Sequence, residues 1–181
     1  MDAKKSSVSL RSLCEAAIMI ALAQILGYIK LYRMPFGGSV TLCMLPIMIY
    51  AVRWGAKNGF LAAFVFSVLQ FMLDGGFTIS WLSIFGDYIF AYTALGVAGL
   101  FKGKKSGLFT GSIAAGLARF TVTWIVGATI WGEYMPDTFF NMTMTSPWFY
   151  SFLYNGSYIF LSLIACLAVE AIIYKPLKKY L

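Results

Sequence analysis

Residues 79–101 read ISWLSIFGDYIFAYTALGVAGLF, a run whose one charged side chain is Asp87. At about 1.5 Å of rise per residue, a helix of this length crosses about 30 Å of hydrocarbon. A carboxylate near the middle of such a helix costs about 2.5–3.5 kcal/mol to insert and therefore needs a cavity or a partner. The stretch thus implies both a membrane span and a site within it.

The rest of the chain has the same character. Of 181 residues, 60% are hydrophobic and 12% charged, against about 25% charged in soluble domains, which excludes a water-facing surface of ordinary composition. Five further apolar runs extend from Leu10 to Tyr28, Val40 to Trp54, Phe60 to Leu73, Leu108 to Trp131 and Trp148 to Tyr174. The expected fold is an all-α integral membrane protein, a single domain over 1–181 with six transmembrane helices. The second and third runs are short, separated by Gly55 and Gly59 around Arg53 and Lys57, so they are expected to be tilted or incompletely spanning. The basic start of the chain precedes a run without a small-residue cleavage site and is read as part of the mature protein.

Lys and Arg residues total 14 against 7 Asp and Glu, a net charge of +7, and their placement explains the excess. Lys4, Lys5, Arg11, Arg53, Lys57, Lys102, Lys104, Lys105, Lys175, Lys178 and Lys179 fall on one side of the expected topology, and Lys30 and Arg33 on the other. By the positive-inside rule both termini are cytoplasmic, with 1–9 and 175–181 as cytoplasmic segments. The basic residues serve topology in a lipid bilayer, and no nucleic-acid partner is expected.

Several chemistries are removed by inventory. Without histidine there is no His-based triad, metal site or proton relay. Cys14, Cys43 and Cys166 are far apart within apolar runs and read as small core residues. Gly103-Lys104-Lys105-Ser106 is a basic turn and not a phosphate-binding loop. No acid cluster suits a metal, and no nucleophile has a base beside it. Neither a cofactor nor enzymatic activity is expected.

Small residues recur at four-residue spacing: Ala17 and Ala21, Ala94 and Ala98, then Gly107, Gly111 and Ala115. Such pairs let helix backbones approach closely in lipid, either within the chain or against another membrane subunit. Ala17 and Ala21, with nearby Ala23, form the smoothest face and the best candidate for a docked partner.

Two intramembrane charges, Asp87 and Arg119, lie at depths that let them approach each other at the base of an outward-facing pocket, either as a register-fixing ion pair or as part of a binding site. Thr123 follows Arg119 by one turn, Asn155 and Ser157 lie on the sixth span, and Tyr150 and Trp131 stand outward of them. A carboxylate below aromatic walls suits a small aromatic cation. Glu15 and Glu170, nearer the cytoplasmic ends, are expected to be solvated or paired with Lys and Arg. The aromatics Trp148, Phe149 and Tyr134 fit an interfacial belt.

Three stretches, MPFGGSVTLCMLPIMIYAVRWGAKNG from Met34, GDYIFAYTALGVAGLF from Gly86 and WFYSFLYNGSY from Trp148, resemble the thiamine-specific substrate-binding subunits, or S components, of energy-coupling factor transporters. The likeness runs over nearly the whole chain. It implies a plasma-membrane protein of prokaryotic type that captures thiamine from outside and works with a transmembrane coupling subunit and two cytoplasmic ATPases. The family's ligand contacts fall here on Asp87 and Tyr88 of the fourth helix, Trp131 near the end of the fifth, and Tyr150 and Asn155 of the sixth. Arg33 to Val40 matches the family's lid, with Gly37 and Gly38 supplying backbone freedom, and the site assigned on this basis takes in Gly38, Ser39 and Phe77. The pair that docks the coupling subunit matches Ala17 and Ala21. Thr123 stands where the family commonly places His, four residues after the basic Arg119. The shorter side chain implies a larger or differently wetted pocket, which leaves a thiamine precursor such as hydroxymethylpyrimidine as a neighbouring ligand. A stand-alone proton-coupled secondary transporter using Asp87 is the other class of function these residues allow.

Overall fold

The computed structural model describes residues 9–34, 38–73 and 78–180. Among them six principal helices form one bundle: α1 (Leu10–Tyr28), α2 (Met44–Trp54), α3 (Ala56–Leu73), α4 (Trp81–Phe101), α5 (Gly107–Thr129) and α6 (Pro147–Leu177). All but α2 are long and apolar enough to cross a membrane. Side-chain caps start several of them: Ser9 Oγ accepts from the Ser12 amide, and Ser146 Oγ from the Phe149 amide ahead of a first-turn Pro147, satisfying amides that have no partner inside the helix.

The second run is incompletely spanning, as its shortness implied, and its role is to fill the core. Its helix has only eleven residues, about 16 Å at helical rise, too short to span. All positions from Met44 to Val52 are buried, which places this uniformly apolar helix in the core, enclosed by α1, α3, α4, α5 and α6. Hydropathy cannot separate burial in protein from burial in lipid, because both favour the same side chains. Gly55 (φ 90°) ends α2 and leads directly into α3. Gly59, read from sequence as a separator, lies within α3, where an added Cβ would meet the Ala51 Cβ at 2.6 Å.

Other small residues also mediate close helix contacts within the chain. An added Cβ at Gly111 of α5 would stand 2.9 Å from the Ala98 carbonyl of α4. Ala17 and Ala21 are instead exposed on α1, and Ala23, expected on the same face, is fully buried and points into the core. Cys43 and Cys166 are buried as expected, but Cys14 is exposed on α1.

The α4 segment is helical throughout but not uniform. Its turns widen to the π form over Ile84–Phe90 and tighten to the 3-10 form over Ala94–Phe101. Irregular turns of this kind interrupt the regular backbone ladder and frequently accompany functional sites; here the wide turns carry Asp87.

The two ends of the bundle differ. One end gathers Glu15, Arg53, Lys105, Tyr174 and Tyr180: Arg53 pairs with Glu15 at 2.8 Å and donates to the Tyr180 carbonyl at 2.7 Å, while the Tyr174 hydroxyl donates to the Lys105 carbonyl at 3.3 Å. The opposite end carries two short antiparallel hairpins that the helical reading did not include. β1 (Tyr32–Arg33) pairs with β2 (Ser39–Val40), and β3 (Thr138–Phe139) with β4 (Met142–Thr143). The first hairpin overlaps the stretch Arg33 to Val40 read as a lid.

Glu170 departs from expectation. It is fully buried and, instead of meeting water or a cation, accepts a hydrogen bond of 2.5 Å from the Ser112 hydroxyl across the α5–α6 contact; its second oxygen has no partner among the described residues. Its distance from the helix end along the sequence said nothing about which face of α6 it occupies.

Candidate functional site

A cavity of about 340 Å³ opens at the hairpin end between α4, α5, α6 and β2, within the size range of small-molecule sites. Asp87 and Tyr88 reach it from the wide turns of α4, Arg119 and Thr123 from α5, Trp131 from the turn just after α5, Tyr150 and Asn155 from α6, and Gly38 and Ser39 from the hairpin. Every one of these was singled out in the sequence. Phe77 and Gly37 lie outside the described residues. Ser157 does not line the cavity; its hydroxyl donates to the Tyr154 carbonyl at 2.7 Å.

The two intramembrane charges share the cavity without pairing. The Trp131 indole Nε1 donates to Asp87 Oδ2 at 2.7 Å, a neutral donor that fixes the carboxylate while leaving its charge uncompensated. Arg119, 6% exposed, places its guanidinium over the Tyr92 ring, 4.1 Å from the centroid. The one ion pair between described residues is Arg53 with Glu15, so the expected approach of Asp87 to Arg119 is not a salt bridge. Each has an aromatic partner of its own.

Between them a polar knot joins α5 to α6. The Asn155 amide Nδ2 donates to the Thr123 carbonyl at 3.2 Å and to the Ser151 carbonyl and hydroxyl at 3.1 Å each, while its Oδ1 accepts from the Tyr158 hydroxyl at 2.8 Å. The Ser151 hydroxyl donates to the Trp124 carbonyl at 2.7 Å. The Thr123 hydroxyl donates back to the Phe120 carbonyl at 3.0 Å, as helix-borne Thr commonly does. A buried network with its members satisfied is rigid, so these groups present a fixed wall.

The sequence reading missed Tyr92, Tyr154, Tyr158, Ser151 and Gly127, all of which line the cavity. Tyr150, Tyr154 and Tyr158 follow one another at one-turn spacing on α6, with ring centroids 5.6 and 6.0 Å apart. That i, i+4 periodicity was the available signal. Tyr92 likewise falls one turn after Tyr88. Both hairpins pack on this ladder. The Gly38 amide donates to the Tyr154 hydroxyl at 3.3 Å, and the Phe139 ring meets Tyr150 and Tyr154 at 5.4 and 5.8 Å. A side chain at Gly38 would collide with the Tyr158 ring, 2.7 Å from an added Cβ.

The arrangement offers a carboxylate and ring faces at the Trp131 end, and hydrogen-bond donors with a cation at the Arg119 end. Among the described residues no group of three or more Asp, Glu or Cys side chains could hold a metal ion.

Comparison with known proteins places this cavity in context. A family model described as "Thiamine transporter protein" matches residues 13–181. The chain is 32% identical over 187 aligned residues to the thiamine transporter ThiT of Bacillus subtilis (strain 168), covering 93% of this chain and 92% of that one. It is 28% identical over 175 residues to the thiamine transporter ThiT of Lacticaseibacillus paracasei, covering 88% and 84%. A solved structure of ThiT from Listeria monocytogenes superposes with a TM-score of 0.82 at 21% identity, covering 94% of this chain and 97% of that one, and so shares its fold.

Proposed function

Since the chain belongs to the thiamine transporter protein family, whose model spans residues 13–181, we propose that it is the substrate-binding subunit of an ATP-driven importer that captures thiamine from outside the cell. The protein is a multi-pass, all-α cell-membrane protein with a role in thiamine transport. The finer reading is that it delivers thiamine through a separate transmembrane coupling subunit driven by two cytoplasmic ATPases.

The observation that carries the binding role is the Asp87–Trp131 contact of 2.7 Å in the wall of an aromatic-lined cavity. Thiamine joins a cationic thiazolium to an aminopyrimidine. A carboxylate with no counter-ion among the described residues, beside an indole face, matches the cation by charge and by ring quadrupole. Thr123, Asn155, Tyr150, Tyr88, Gly38 and Ser39 complete the proposed contacts, with Phe77 assigned from the family likeness.

The orientation follows from charge: the end holding Arg53 and Lys105 is cytoplasmic, which makes the hairpin end external and the first hairpin a lid over the entrance. On this reading six helices cross or enter the bilayer, α2 only in part, and both termini are inside. The partner face is supported by a second, apolar groove between α1 and α3, lined by Ala17, Ala21 and Gln24 among others. The Gln24 amide, 8% exposed, has no hydrogen-bond partner among the described residues.

Titration of the purified protein with thiamine, read by tryptophan fluorescence, tests the binding role, with Trp131 as the reporter. Uptake in vesicles separates the coupling readings. Transport that requires the coupling subunit and ATP supports the importer, whereas transport by this chain alone on a proton gradient overturns it.

A further inference from the structure

Arg119 is a buried guanidinium that lines the ligand cavity, and among the described residues no carboxylate pairs with it. Its Nε has no hydrogen-bond partner among the described residues. A buried cation left in this state is costly, so something must stabilise it without consuming it. The Tyr92 ring fills that role, 4.1 Å from the guanidinium carbon. A carboxylate would engage the N–H edge of the guanidinium in a bidentate pair, whereas the Tyr92 ring lies against its face.

We propose that Tyr92 is a positioning residue for ligand recognition: its ring takes the place of a counter-ion and keeps Arg119 free to donate to an uncharged acceptor, a heteroaromatic ring nitrogen, at the deep end of the bound ligand. The orientation follows from the separation of charges. Asp87 and Tyr92, the partners of Trp131 and Arg119, are five residues apart on α4, about 7.5 Å at helical rise. A thiazolium is drawn to the Asp87 end and repelled from the Arg119 end, so the pyrimidine half, which carries neutral ring nitrogens, faces Arg119. The inference rests on the thiamine reading above.

The test uses the purified full chain, titrated separately with thiamine, with its hydroxymethylpyrimidine half and with an N-methylated hydroxyethylthiazolium, which keeps the cationic charge of the thiazole half. Wild-type protein is expected to bind the pyrimidine half more tightly than the thiazole half. Tyr92→Leu removes the ring face and should weaken thiamine and the pyrimidine half by about tenfold or more, the effect of losing a hydrogen bond to a charged group, with the thiazole half little changed. Tyr92→Phe keeps the ring face and should restore the selectivity that Tyr92→Leu loses. If Tyr92→Leu does not fold, Arg119→Gln decides, with the same selective loss expected. A merely structural role weakens both halves alike, and that outcome, or undiminished binding of the pyrimidine half, overturns the proposal. Failure of the wild type to bind thiamine overturns the functional reading and the proposal with it; thiamine binding with unselective variants overturns the proposal alone.

Discussion

Trp131 Nε1 and Asp87 Oδ2 stand 2.7 Å apart, joining the turn after α5 to the wide turns of α4. The contact sets both the position of the carboxylate and the attitude of the indole, so the two residues act on the ligand together. Asp87→Asn keeps an acceptor for the indole but removes the charge; Trp131→Phe keeps a ring face but removes the donor. Each should weaken thiamine binding by about tenfold or more. A double-mutant cycle should show the losses to be non-additive, because the residues share one interaction. Unchanged affinity in both variants sinks the proposed site.

Gly127 is a packing point inside the cavity wall. A Cβ there would lie 2.3 Å from Ser151 Oγ and 2.8 Å from Asn155 Nδ2, both members of the knot that ties α5 to α6. These short side chains have little room to give. Gly127→Ala should therefore destabilise the protein by about 1–3 kcal/mol through overpacking and weaken thiamine binding by displacing Asn155. Thermal unfolding in detergent and the thiamine titration check the two effects separately. A variant with normal stability and affinity shows that the knot is softer than its geometry implies.

The long spans were legible in the sequence because length and apolar composition suffice for them. The candidate residues at Asp87, Arg119 and Asn155 were legible because polar groups in a span stand out against it. What escaped had no local signature. The enclosed position of α2 depends on which neighbours surround it, and the widened turns of Ile84–Phe90 lie where α4 meets α5 so closely that a side chain at Gly86 would strike Val126. Tyr154 and Tyr158 were hidden for the opposite reason: among 11 tyrosines an aromatic belt accounts for any one of them, and only their one-turn spacing marks a shared face. Depth along the sequence misjudged Glu170, since it carries no information about azimuth around the helix.

Glu170 gives a prediction about stability and not about binding. Its carboxyl is enclosed between α5 and α6 with Ser112 as its one hydrogen-bond partner among the described residues. Ser112→Ala should lower stability by about 1–3 kcal/mol, since the buried acceptor loses its donor. Glu170→Gln keeps an oxygen for Ser112 and removes the possibility of a buried charge, so it should raise the unfolding midpoint. Thiamine affinity should be unaltered, because neither residue lines the cavity. Lower stability in Glu170→Gln identifies a cation partner for the carboxylate that this packing does not contain.

Ala17 and Ala21 separate ligand capture from delivery. Both are exposed on α1 and line the groove against α3, remote from the residues of the ligand cavity. Small side chains at these points let a partner helix approach closely, where van der Waals contact and polar bridges drive association in lipid. Replacing both with Leu fills the groove from its rim without touching the core, since neither residue is buried. Thiamine binding and thermal stability should be retained, while co-purification with the coupling subunit and ATP-driven uptake are lost. Gln24→Leu offers a finer probe of the same face. It removes a buried amide that has no partner among the described residues, so the isolated protein should gain stability while the apolar groove it lines keeps its character. Uptake that survives the double Leu variant places the docking face elsewhere on the bundle.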